Sequence, residues 1–94
     1  MRALTLIKAH ARLDAGAVMS LTNRVRHAVE KGPGEIRVDL SDVRYADSAG
    51  LGALIVMWKS IDKAAHNFKF TNLSEFALET IRNTNLDKIF KIEG

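Results

Sequence analysis

One arrangement in this sequence points to chemistry: a hydroxyl side chain beside a carboxylate, followed by two closely spaced glycines, in Asp47-Ser48-Ala49-Gly50-Leu51-Gly52. Just before it, Glu35-Ile36-Arg37-Val38-Asp39-Leu40 alternates apolar and charged residues as a strand does. Ser41 to Asp47 then reads as the loop that delivers the chain to a helix beginning at about Ser48. At a helix start the first backbone N–H groups lack intrahelical acceptors, and the helix dipole favours negative charge. A phosphate esterified to Ser48 would be well placed there, and Gly50 and Gly52 would let another protein's active site approach the hydroxyl. Position alone favours a plainer role, in which Ser48 caps its helix and the glycines serve tight packing.

Other chemistries find little support. No lysine-containing glycine-rich phosphate loop is present, and Gly50-Leu51-Gly52 is not a dinucleotide fingerprint. Asp47 is the sole acid or base that the sequence sets beside Ser48, and adjacency orients it poorly as a general base, so catalytic residues and cofactors are expected to be none. His10, His27 and His66 have no zinc-site spacing, and the chain has no cysteine to complete one, so no metal is expected. Although the net charge is +3, the fourteen basic residues are scattered and not interleaved with aromatics, a solvated surface rather than a nucleic-acid platform.

The 94 residues suffice for one domain, 1–94, held by an apolar core rather than by disulfides. The N-terminus lacks the long apolar stretch and cleavage site of a signal peptide, and no segment approaches the roughly 20 apolar residues of a membrane span. A cytoplasmic protein, not embedded in a membrane, is expected.

The elements that must hold Ser48 follow from periodicity. Arg2 to His10 reads as a strand in which Leu4 and Leu6 alternate with Thr5. Asp14 can cap a first helix whose buried stripe is Val18, Leu21, Val25 and Val29, stopped by Gly32-Pro33-Gly34. The second helix, from about Ser48 to about Ala65, turns Leu51, Leu54, Ile55, Trp58 and Ile61 inward. Beside that stripe Val56-Met57 adds apolar surface, either a widened core contact or a patch for a partner. Phe68-Lys69-Phe70 is a short strand, and Ser74 caps a third helix through Thr84 with Phe76, Leu78 and Ile81 facing inward. Leu86, Ile89, Phe90 and Ile92 close the chain with room for a last short strand.

Strands alternating with helices imply parallel pairing through right-handed crossovers. The predicted fold is a single small α/β domain: a roughly four-stranded, largely parallel or mixed sheet with three helices mainly on one side.

Two segments, Val38-Asp39-Leu40-Ser41 and Asp47-Ser48-Ala49-Gly50-Leu51-Gly52, together resemble the signature of the STAS family of anti-sigma factor antagonists. Arg12-Leu13-Asp14 and Phe70-Thr71-Asn72-Leu73-Ser74 extend the resemblance over nearly the whole chain. It implies that Ser48 is the phosphoacceptor of a partner serine kinase that is also the anti-sigma factor, with a phosphatase to reverse the modification. It also implies that Asp14, Asp47, Ser48, Ala49, Gly50, Leu51 and Gly52 form the partner-binding edge, which the Val56-Met57 surface would adjoin if it is a partner patch. The family also includes small subunits of ABC-type lipid transporters, which brace a transporter ATPase. Three departures stand out. Ala11-Arg12 replaces Gly-Glu and reverses a charge at the partner surface, Thr84-Asn85-Leu86 stands where a Gly-Leu pair is usual, and the additional N-terminal strand of many members is not expected.

Overall fold

A computed structural model of the chain describes residues 3–31, 34–63 and 67–93. Four parallel strands form the main sheet: β1 (Ala3–Lys8), β3 (Gly34–Asp39), β5 (Asn67–Thr71) and β6 (Ile92–Glu93), in that spatial order. A second, two-stranded parallel sheet pairs β2 (Arg12–Leu13) with β4 (Tyr45–Ala46). The helices are α1 (Ala15–Glu30), α2 (Ser48–Lys63) and α3 (Glu75–Asn83), followed by a 3-10 turn at Leu86–Lys88. Each crossover steps to the next position in the same direction, so right-handed connections bring every helix to one face of the main sheet.

The burial pattern follows from that topology. In register, Ile7, Val38 and Phe70 form one row and Ile36 and Phe68 another, all buried beneath the helices. The opposite face carries Glu35, Arg37 and Lys69, where Arg37 Nε donates to Glu35 Oε2 at 2.7 Å. Leu4 and Leu6 also lie on that open side and are more than half exposed, so β1 turns Thr5 and Ile7 inward. Trp58 of α2 stacks among Phe68, Phe70 and Phe90, with ring centroids 4.8 to 5.4 Å from it, and joins the ends of the sheet to the helical layer.

Most of the predicted elements are present within a few residues of their expected bounds. The sheet is wholly parallel, so the mixed alternative falls away. In α1, Val18, Leu21 and Val25 are buried and Val29 half-buried, while Gly32 and Pro33 of the expected stop lie outside the described residues. In α3 the inner face is Ala77 and Ile81, four residues apart, whereas Phe76 is exposed and Leu78 half-buried. Ala77 and Ile81 share one face of the helix, and turning that face inward leaves Phe76, one position round, at the rim, where its ring still borders Leu51 and Leu54. Asn85 adopts φ 59°, the left-handed conformation that glycine favours and asparagine tolerates, so the Thr84-Asn85-Leu86 turn needs no glycine.

Asp39 ends β3 on the open side of the sheet and is nearly buried. Burial opposes its ionisation, but hydrogen bonds from Ser41 and Asn72, with the charge of Lys8, outweigh it and hold the carboxyl below its ordinary range. Its role is to tie together the loops that leave β3 and β5.

Candidate functional site

The site is assembled by the small second sheet. Tyr45 and Ala46 would be plain loop residues by their composition, but the Arg44 and Tyr45 amides both donate to Ala11 O, at 2.8 and 3.1 Å. The Asp47 amide donates to Leu13 O at 3.4 Å, so the chain enters α2 pinned to the segment that enters α1. Both helix starts therefore lie side by side, one capped by Asp14 and the other by Asp47.

At α1, Asp14 Oδ1 accepts from the Ala17 amide at 2.9 Å, as the sequence predicts for a cap. At α2 the cap is Asp47 rather than Ser48: Asp47 Oδ1 accepts from the Gly50 amide at 2.7 Å, and Asp47 O accepts from Leu51 N. Ser48 is thereby displaced into the first helical position, where its side chain is exposed. Its hydroxyl has no hydrogen-bond partner among the described residues, nor do the amides of Ser48 and Ala49. Capping by Ser48, the plainer alternative, is thus overturned, because the adjacent carboxylate occupies that position.

The two glycines separate. A Cβ on Gly50 would lie 1.8 Å from Leu13 O and 2.6 Å from Leu13 C, so the close approach of α2 to β2 requires glycine there. Gly50 is buried and unavailable to a partner. Around Gly52 nothing lies within 4 Å of such a Cβ, and this residue is exposed. Of the two glycines only Gly52 lies open at the surface.

The remaining predicted edge residues sort by burial. Ala49 is exposed, Asp47 and Asp14 are half-buried as caps, and Leu51 is half-buried against the core. Val56 is 67% exposed, but Met57 is only 1% exposed and belongs to the core. The expectation of a Val56-Met57 partner patch is corrected in its second member, because α1 packs on α2 along the side where Met57 points.

Two surface residues acquire their surroundings only in the tertiary structure. The Arg12 guanidinium stacks over the Tyr45 ring at 4.3 Å, with its Nε 3.7 Å from Asp14 Oδ2, which sets a cation on the same edge as Ser48. Met19, on α1 beside Val18 and off the buried stripe, is 67% exposed. Its displacement from the 18-21-25-29 stripe is legible in the sequence, but its neighbour across the helix pair is not.

Among the described residues no group of His, Asp and Glu could hold a metal ion, and no helix is long and apolar enough to cross a membrane.

Comparison with known proteins agrees with the geometry. The family model for the STAS domain matches residues 2–94. The anti-sigma-B factor antagonist of Bacillus subtilis is 31% identical over 82 residues, covering 87% of this chain and 74% of that protein. A solved structure from Thermotoga maritima, described as a candidate anti-sigma factor antagonist, superposes with a TM-score of 0.71 at 27% identity, over 95% of this chain and 77% of that one. A three-helix, parallel-sheet domain with its exposed serine at the head of the second helix, matched over nearly its full length, is thus a member of the STAS domain family.

Proposed function

We propose that this protein is an anti-sigma factor antagonist whose binding to a serine kinase that doubles as the anti-sigma factor is ended by phosphorylation at Ser48. One observation carries the reading: Asp47 takes the cap of α2, and Ser48 is left exposed with an unengaged hydroxyl at the first position of the helix. The similarity to the anti-sigma-B factor antagonist supports the same role. In this reading the chain contributes a docking surface, while the kinase and a phosphatase supply the catalysis and the chain needs no cofactor.

The unmodified edge around Ser48, with Ala49, Gly52, Asp14 and Asp47, docks on the kinase and displaces its sigma-factor client. A phosphoserine adds about −1.5 to −2 charge beside Asp47. The free Ser48 and Ala49 amides and the helix dipole accommodate that charge in the isolated protein, at about 0.3–1 kcal/mol in favour. In a docked interface the same charge is desolvated against Asp47, and a loss of about 3 kcal/mol weakens binding more than a hundredfold. The switch needs no change of fold.

The test is affinity capture from the lysate of the source organism, with wild type, Ser48→Ala and Ser48→Asp in parallel and intact-mass analysis of the recovered protein. Wild type should retain an anti-sigma factor kinase and gain a phosphate-sized mass that Ser48→Ala does not, and Ser48→Asp should lose the partner. Equal retention by all three proteins, or capture of a transporter ATPase in place of the kinase, overturns the reading.

A further inference from the structure

Ser48, Gly52 and Val56, spaced four residues apart, form an exposed stripe along α2. Beside its far end lies an open groove between α1 and α2, with Ala53 and Met57 among its lining residues and Met19 and Val56 its exposed large apolar ones. Two large apolar side chains at this exposure, lining one groove from two helices, are more than isolated surface residues. Among the described residues Arg26 is the one charged residue lining the groove, and it has no acidic partner there.

We propose that this groove is the second half of the docking surface, occupied by the same anti-sigma factor that meets Ser48, through an apolar side chain seated between Met19 and Val56 and an acidic group facing Arg26. The inference rests on the reading of Ser48 above and extends it from α2 onto α1. Area argues for one occupant. A stable protein interface covers roughly 800 Å² per partner, a patch about 16 Å in radius. Val56 lies eight residues beyond Ser48, only about 12 Å along the helix. A partner of ordinary size centred on Ser48 therefore reaches the groove, and burying Met19 and Val56 there adds the apolar contact that the polar helix start lacks.

The experiment measures affinity for the purified anti-sigma factor recovered in the Ser48 capture. The variants are Met19→Glu, Val56→Glu, Arg26→Glu and, on α3 outside the groove, Glu79→Lys. These residues are exposed, and thermal melts of each variant separate lost binding from lost folding. Met19→Glu and Val56→Glu should each weaken binding at least tenfold, Arg26→Glu should weaken it severalfold, and Glu79→Lys should leave it unchanged. Wild-type affinity for Met19→Glu and Val56→Glu, with Ser48→Asp still releasing the partner, overturns the groove and leaves the Ser48 reading standing. Tighter binding by Arg26→Glu overturns the acidic partner group. If Ser48→Asp and Ser48→Ala both bind as wild type does, the Ser48 reading fails, and the groove proposal falls with it.

Discussion

Two serines stand at two helix starts, and the fold uses them in opposite ways. Ser74 is the cap of α3: its Oγ accepts from the Ala77 amide at 3.0 Å and donates to Val43 O at 2.7 Å, which ties the helix to the loop after β3. Ser48 sits one residue further into its own helix, and its hydroxyl bonds to nothing described. Both are small hydroxyl residues at the end of a loop and the beginning of an apolar-periodic segment. What separates them is the preceding residue. Leu73 cannot cap, so Ser74 does, whereas Asp47 caps and frees Ser48. A carboxylate immediately before the hydroxyl is therefore a positional device, since it takes over the structural duty and leaves the serine available.

The largest effect expected on this contrast comes from the frame that holds α2 in place. Gly50→Ala forces a methyl into the Leu13 backbone and should lower stability by about 3 kcal/mol, read as a drop in the midpoint of urea unfolding. Gly52→Ala, with nothing near its Cβ, should raise stability by up to about 1 kcal/mol through helix propensity. If the two alanines behave alike, the division between a packing glycine and an open one is wrong.

Next in size is Ser74→Ala, which removes a cap and leaves Val43 O without its donor, at a cost of about 1.5–2 kcal/mol in the same measurement. Asp47→Ala should cost about 1 kcal/mol by losing the Gly50 bond, unless Ser48 shifts back to replace it. A crystal structure or amide exchange at Gly50 in that variant would show whether the serine takes up the vacated duty. Smallest is Ser48→Ala, within about 0.5 kcal/mol of wild type, because the hydroxyl supports nothing in the folded state. A loss as large as that of Ser74→Ala would erase the contrast and restore Ser48 to a capping role.

Much of the frame was legible beforehand because periodicity reports burial directly. Val18, Leu21 and Val25 in α1, Leu54, Trp58 and Ile61 in α2, and Ile36 and Val38 in β3 are buried where spacing put them. Asp14 and Ser74 were legible as caps, since each precedes an apolar-periodic segment. The order of strands and helices sufficed for the parallel one-sided architecture, since handedness leaves few alternatives.

What sequence could not decide were outcomes set by neighbours distant along the chain. The apolar residues of β1 alternate in both registers, and only pairing with β3 decided that Ile7 faces inward while Leu4 and Leu6 face out. β2 and β4 are two residues each, too short to carry a period, and exist because their backbone groups find each other across 32 intervening positions in the register Arg12↔Tyr45. Gly50 and Gly52 are identical in sequence, yet only one meets the Leu13 backbone. Val56 and Met57 are adjacent, yet the packing of α1 on α2 buries one and exposes the other. The sequence by itself determined which elements form and that a hydroxyl stands at the head of the second helix. The tertiary structure decided that Asp47 caps that helix and Ser48 is free, because a cap depends on where the loop's backbone is held, and here it is held by the pairing of β2 with β4.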